Sequence, residues 1–457
     1  MGRSRGTAWS VAAAFAGALL LLVLFLAEGA GAAEPSAQAF VGVASCAGTT
    51  CHGRLEGDGK VVRQDELMRW QDPASPAGIH SRAFRALAEP RAKAIAARLG
   101  IGEATSAPLC LGCHATPTAG AATGPRFLRS DGVGCEACHG AASEWLASHY
   151  SVGASHTGNV ARGMVPLDTP RARASKCLDC HYGSGATGQF VDHRIMAAGH
   201  PRLSFELDLF TTLQQHHVED ADYVQRKGRR SNVQVWAVGQ ALALERSLAL
   251  YATPKGTNGV FPEFYFFDCH TCHRAISDDR RFQPSAAANP GRPIPSGMPA
   301  YNDENMIMLS AALRATSPAL AARFERDSRA FHAALAEDRG SALAAAARLR
   351  GTALAVADQF DRGGVSRPQT FAIIDSIAGN AVSARFTDYE GSVQAVMAVD
   401  TLLSALVNAG QVDGAAAKTI RGDIEIAYRA VREPNAYDPR EFRAGLGRAA
   451  AAIRRLQ

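Results

Sequence analysis

Apolar and polar positions follow two different patterns along this chain of 457 residues. Before about residue 285, stretches with helical periodicity are short, and Gly and Pro interrupt them repeatedly. After Tyr301 the sequence is rich in Ala, and apolar residues recur three and four positions apart, as on the buried face of an α-helix. This pattern predicts helices over residues 306–313, 318–335, 341–360, 389–406, 415–431 and 440–456, with breaks at Gly340, Gly363, Gly364, Gly379, Gly410 and Pro434.

The change of pattern also predicts the domain organisation. Five prolines between Gln283 and Pro299 indicate an extended linker. The part that follows is long enough to bury its own core as a helical bundle. We therefore expect a mainly α protein, in which residues 34–285 form a domain with little regular structure, residues 286–300 a linker, and residues 301–457 an α-helical domain.

The first 33 residues have the features of a secretory signal peptide. Arg3 and Arg5 form a basic segment, residues 9–27 are an apolar stretch, and small residues at 29–33 offer a cleavage site before Glu34. The apolar stretch is long for a signal peptide, so an uncleaved membrane anchor is the alternative. The run of small residues favours cleavage, and we expect a periplasmic protein.

All ten cysteines occur in pairs, and a histidine directly follows each pair. The five sets are Cys46, Cys51 and His52; Cys110, Cys113 and His114; Cys135, Cys138 and His139; Cys177, Cys180 and His181; and Cys269, Cys272 and His273. The last four have the form C-x-x-C-H, which is typical of covalent attachment of c-type haem. Two thiols one short turn apart can add to the two vinyl groups of the porphyrin, while the histidine binds the iron from one face. A zinc site or a disulfide framework would not require a histidine after every pair.

The first set has four residues between its cysteines instead of two. A local disulfide beside an ordinary histidine is therefore an alternative there. The ending Cys51-His52-Gly53 nevertheless matches Cys138-His139-Gly140 of the third set. We predict five covalently attached c-type haems, with their irons bound by the five motif histidines, so that residues 34–285 are a pentahaem cytochrome c domain.

A second histidine on each iron requires as many distal imidazoles as haems, and the segment between residues 80 and 200 contains five. We predict as distal ligands His80, His149, His156, His193 and His200. Two pairs among them are seven residues apart, which is two turns if the segments are helical. Of the adjacent His216 and His217 we expect at most one to bind iron, and we expect none from His270 and His332.

The formal charge of +5 would usually suggest binding to nucleic acid or to a membrane surface. The ten propionates of five haems would cancel this charge, so we expect no nucleic-acid partner. Most basic residues are arginines, which can hold propionates in bidentate fashion. The expected partners are periplasmic or membrane-associated redox proteins, with a possible docking partner for the helical C-terminal domain.

Parts of the first domain resemble the tetrahaem cytochrome c-554 (c-552/4) family of ammonia oxidisers, whose wider relatives are the hydroxylamine oxidoreductases and the pentahaem nitrite reductases. The resemblance extends over residues 40–210 and is most specific at residues 132–140 followed by His149; weaker blocks lie at 70–84, 176–181, 192–194 and 198–202. It implies closely stacked haem pairs, mostly bis-histidine ligation and electron transfer in the periplasm. His80 and His149 match distal-ligand positions of the family. The chain departs from the family in its fifth haem motif, its widened first motif and its C-terminal domain.

Two functions compete, and we expect an electron-transfer protein rather than a catalyst. The alternative is an oxidoreductase with one open iron that acts on a small nitrogen or sulfur oxyanion. The C-x-x-C-K motif of the related nitrite reductases is missing from the sequence. Tyr265 is the one candidate for the crosslinking tyrosine of the hydroxylamine-oxidising relatives, and packing against a porphyrin is its other interpretation. For an open iron, His216 or His217 with Arg202 are the candidate anion-binding groups. In a third interpretation the protein is mainly a subunit that docks through its tail.

Overall fold

A computed structural model describes residues 38–457 except for 58–62, 218, 220, 229, 258, 260–261, 274–292, 294–297 and 383–388. The predicted signal peptide and most of the predicted linker lie outside the described residues. Within the described ranges the chain is mainly α-helical and has isolated β-bridges but no β-strand. The prediction of a mainly α fold is confirmed.

The first part of the chain contains mostly short helices joined by turns and loops. They are α1 Glu66–Gln71, α2 Ala83–Ala86, α3 Pro90–Leu99, α4 Pro108–His114, α5 Cys135–His139, α6 His156–Ala161, α7 Pro170–His181, α8 His193–Ala197, α9 Leu207–Leu213, α10 Ala221–Lys227, α11 Asn232–Tyr251, α12 Pro254–Thr257 and α13 Cys269–Cys272. Local chemistry fixes where several of them begin. Pro170 occupies the first turn of α7, and the side chain of Thr169 accepts a hydrogen bond from the amide of Ala172.

The exception in this part is α11, which has 20 residues. Its N-terminus has a capping box, in which Ser231 and Gln234 each satisfy a backbone amide of the other. Most of its residues are buried, around the whole helix. The hydrophobic pattern does not reveal α11, because a helix that is buried on all sides has no polar face to produce a period.

The C-terminal part consists of long helices. They are α14 Glu304–Thr316, α15 Pro318–Ala334, α16 Arg339–Arg362, α17 Arg367–Val382, α18 Tyr389–Asn408, α19 Gly414–Ala430 and α20 Pro439–Arg454. Six of them coincide with the predicted helices to within a few residues. The seventh, α17, is not predicted, and the break expected at Gly379 is wrong, since this glycine lies inside α17.

One apolar core connects the two parts. A cluster of buried side chains extends from Ala174 in α7 to Ile453 in α20 and includes most of α11. α11 packs against α16, α14 and α18 of the C-terminal part and against α7 and α9 of the first part. A second apolar cluster, in the region of the first motifs, is small and consists of Leu87, Ala96 and Ala104. The helices on either side of the predicted linker therefore share one core.

Among the described helices, α18 alone is long and apolar enough to cross a membrane by length and composition. Its most apolar 18-residue window is 83% buried inside the protein. That degree of burial is typical of the central helix of a folded domain.

The shared core makes a stability prediction. Trp236 in α11 is fully buried, and Trp236→Ala should lower the free energy of unfolding by about 3–5 kcal/mol. Lys418→Ala, at an exposed site on α19, should change it by less than about 0.5 kcal/mol. Denaturant unfolding followed by far-UV circular dichroism measures both. Two separate transitions, of which Trp236→Ala moves only one, would contradict a shared core.

Candidate haem sites

The four regular motifs lie on short helices. His114, His139 and His181 are the last residues of α4, α5 and α7, and His273 directly follows α13. On a helix, two residues that are three positions apart lie on the same side. Both thiols of each motif are therefore presented together, as attachment to one porphyrin edge requires.

The first motif reaches an equivalent arrangement through a loop. In the fifth motif the amide of His273 donates to the carbonyl of Cys269 over 2.8 Å, and in the first motif the amide of His52 donates to the carbonyl of Cys46 over 3.2 Å. The two additional residues are folded into turns, in which the amides of Cys51 and Gly53 both donate to the carbonyl of Gly48. The widened motif thus keeps the same bond between its histidine and its first cysteine.

Each motif histidine lies opposite at least one other histidine. The ring centroids are separated by 6.3 Å for His52 and His149, 6.4 Å for His114 and His200, 6.1 Å for His181 and His80, 6.2 Å for His273 and His193, and 6.5 and 6.2 Å for His139 with His216 and His217. Two imidazoles that bind opposite faces of one iron through bonds of about 2 Å have centroids about 6 Å apart. All five positions fit a haem with two histidine ligands.

The structure pairs four of the five predicted distal histidines with a motif histidine. His156 is different, because it lies at the exposed start of α6 and no described ring contact joins it to another histidine. Its predicted relation to His149 assumes a helix between them, whereas residues 150–155 form turns and a bend. His216 and His217 occupy the position opposite His139, and the ligand atoms of these three residues lie within 4.8 Å of one another.

Hydrogen bonds at Nδ1 orient several of these rings. The Nδ1 atoms of His114, His200 and His216 lie 2.8, 2.8 and 3.1 Å from the backbone carbonyls of Ala83, Pro201 and Gln214. A ring that donates from Nδ1 to a carbonyl keeps the lone pair of Nε2 free for a metal.

Burial keeps the most enclosed rings neutral. It lowers the pKa of His139 to about 3 and that of His181 to about 4. A neutral imidazole is the form that binds iron. At the first site, by contrast, a hydrogen bond to Glu66 raises the pKa of His52.

Cysteines of different motifs lie close together. A hydrogen bond with Cys135 of the third motif lowers the pKa of Cys46 in the first. The two motifs are also joined by the amides of Val41 and Gly42, which donate to the Glu136 carboxylate over 2.9 and 2.8 Å. The Cys180 sulfur of the fourth motif lies 3.8 Å from the carbonyl oxygen of Gly112 in the second motif. Cys51 of the first motif and Cys272 of the last are exposed, while the other eight cysteines are half-buried.

Arg202 and Tyr265 are buried in a polar cluster. The Arg202 guanidinium donates to the carbonyl of Tyr265 over 2.7 Å, lies 4.4 Å above the Tyr265 ring and is 3.5 Å from a carboxylate oxygen of Glu390. Tyr265 itself packs edge-on against Phe190, with ring centroids 4.9 Å apart. These contacts give Arg202 a carboxylate of the protein as its counter-ion, and they give Tyr265 a packing role.

Comparison with known proteins identifies one segment. Residues 45–140 match the family model described as cytochrome c554 and c-prime. The matched segment contains the first three motifs. No curated protein and no solved structure matches the chain.

The loop of the first motif predicts a specific requirement for glycine. A Cβ atom at Gly53 would lie 2.1 Å from the carbonyl oxygen of Ala47. Gly53→Ala should therefore displace the loop and reduce attachment at this motif, and intact-protein mass should decrease by one haem. Gly351→Ala is the control, because a Cβ atom there has no neighbour within 4 Å. A full haem complement in Gly53→Ala would refute this role of the loop.

The histidine pairs predict which substitutions open an iron. His80→Ala should convert one haem to a high-spin form that binds carbon monoxide after reduction, because His80 lies opposite His181. His156→Ala should leave every haem low-spin. Optical spectra with dithionite and carbon monoxide distinguish the two variants, and the opposite result would restore His156 as a ligand.

Proposed function

We propose that this protein is a pentahaem electron carrier of the periplasm. The premise is that residues 45–140 are a cytochrome c554-type segment and that the chain is a c-type cytochrome, which transfers electrons through covalently bound haem. Every iron has two histidine ligands in this proposal. The observation that supports it best is the set of five motif histidines, each with another imidazole about 6 Å away.

The residues that would hold the haems are the ten motif cysteines and five pairs of histidines. The pairs are His52 with His149, His114 with His200, His139 with His216 or His217, His181 with His80, and His273 with His193. A bound haem supplies a one-electron centre whose potential depends on axial ligands, hydrogen bonding and burial. The protein fixes both imidazoles, so that reduction requires little movement of the ligands.

The contacts between motifs support a continuous route for electrons. The first and third motifs adjoin, because Glu136 in the third motif accepts hydrogen bonds from the amides of Val41 and Gly42, just before the first. Before haem attachment, burial and then the charge of Cys138 in the third motif raise the pKa of the Cys177 thiol in the fourth, so these two motifs are neighbours. The second motif contacts the fourth through Gly112.

The route continues to the fifth motif through aromatic residues. Tyr182 follows the fourth motif, Tyr265 precedes the fifth, and their ring centroids are 6.3 Å apart. Exposed cysteines in the first and last motifs favour these two sites for electron exchange with partner proteins. The partners in this proposal are periplasmic or membrane-associated redox proteins.

An open iron with anion-binding groups is the competing function. It has less support, because Arg202 is buried against Glu390 and Tyr265. His216 and His217 both face His139, and one of them would complete the ligation of an iron there rather than line a substrate site.

The decisive experiment counts the haems and examines their irons. We expect a pyridine haemochrome assay and intact mass to give five haems per chain. Ferric spin-state measurements and carbon monoxide addition after dithionite should show low-spin irons that do not bind the gas. If about one haem in five is high-spin and binds carbon monoxide, the electron-carrier proposal is wrong and the enzyme interpretation replaces it.

A further inference from the structure

Glu66 connects two of the proposed haem sites. It is the first residue of α1, and its side chain is only 8% exposed. One carboxylate oxygen lies 2.9 Å from Nδ1 of His52, and the other lies 3.6 Å from Nδ1 of His217. His52 belongs to the first motif, and His217 lies opposite the histidine of the third. A single buried carboxylate thus stands between candidate axial ligands of two irons.

The other described Nδ1 partners are of a different kind. His114, His149, His200 and His216 have backbone carbonyls, which carry no charge. At 2.9 Å the Glu66 carboxylate accepts a hydrogen bond from His52 Nδ1, which makes that imidazole a more basic ligand, and at 3.6 Å it acts on His217 through its charge. A more basic ligand and a nearby negative charge both stabilise ferric over ferrous iron, which lowers the reduction potential.

Glu66 also distinguishes between the two histidines that face His139. One iron face accepts one imidazole, whereas both His216 and His217 are within reach. The separation from His139 is 6.2 Å for His217 and 6.5 Å for His216, and the four other pairs lie between 6.1 and 6.4 Å. The distance and the carboxylate at Nδ1 both favour His217.

We propose that Glu66 is a positioning residue shared by two haems, which holds His52 and His217 as axial ligands of the first and third irons and lowers both reduction potentials together. The proposal rests on the proposed function, since it requires haem at both motifs. The backbone amides of Val41 and Gly42, just before the first motif, donate to the carboxylate of Glu136 in the third motif over 2.9 and 2.8 Å. The two motifs therefore lie side by side, and the paired sites form one low-potential unit within the route.

The test is a spectroelectrochemical titration of the complete haem protein. Glu66→Gln keeps the size of the side chain and removes its charge. The reduction potentials of two haems should rise, each by at least about 59 mV. For one electron this equals a tenfold change in the ratio of reduced to oxidised haem at a given potential. The other three haems should be unchanged. Glu66→Asp retains the charge and should restore part of the shift.

The matched control is Asp65→Asn. Asp65 is the neighbouring buried carboxylate, but it pairs with Arg69 over 2.9 Å and no described contact joins it to a histidine. Its substitution should move no haem potential. If Glu66→Gln moves no haem or only one, or if Asp65→Asn has the same effect, the shared role of Glu66 is refuted.

A second pair of variants tests ligand choice independently of the folding of Glu66→Gln. His217→Ala should create one high-spin haem that binds carbon monoxide, and His216→Ala should leave all haems low-spin. The reverse result would overturn the assignment of His217 and with it the shared carboxylate. Failure of the proposed function itself is recognised separately, because the unsubstituted protein would then have fewer than five haems or an open iron.

Discussion

Two imidazoles that are to bind one iron have to be held at a fixed separation, and the histidines that face each other in this protein come from segments far apart in sequence. His114 lies at the end of α4, whereas the ring opposite belongs to His200, which follows α8. In the region of the first three motifs the second apolar cluster contains only three buried side chains. In the proposed haem-bound protein, covalent attachment and iron ligation would provide the order that an apolar core supplies in other domains, and short capped helices would suffice to present the ligands.

The C-terminal helices have a conventional apolar core, and buried polar contacts join these helices to the region of the last two motifs. The hydroxyl of Tyr182, directly after the fourth motif, donates to Glu304 of α14 over 2.9 Å. Asp268, directly before the fifth motif, accepts a hydrogen bond from the amide of Tyr389 over 3.0 Å. Since buried hydrogen bonds require accurate placement of both partners, the C-terminal helices fix the positions of the last two motifs.

The sequence predicts motifs and amphipathic helices well, and it predicts buried helices and contacts between distant residues less well. The cysteine–histidine motifs and six C-terminal helices follow from short-range spacing and periodicity. α11 lacks a polar face, although the pattern Ser231 to Gln234 marks its start, and α17 contains a glycine that suggests a break. The distal histidines are harder to predict from the sequence. Spacing along the chain places two rings on one face only where a single helix runs through both positions. Turns precede His156, so no helix connects it to His149. His217 lies opposite His139 only because tertiary folding brings these distant segments together.

The loop of the first motif has a consequence for how such motifs can change during evolution. The bond from the His52 amide to the Cys46 carbonyl encloses the added residues, so an insertion between the two thiols leaves the histidine in place. An insertion between Cys51 and His52 would lie inside the same bond, but it would separate the imidazole from the second thiol and so move it away from the attachment edge. Tolerance to changes in length is therefore confined to the interval between the cysteines, and it depends on a residue without a side chain at position 53.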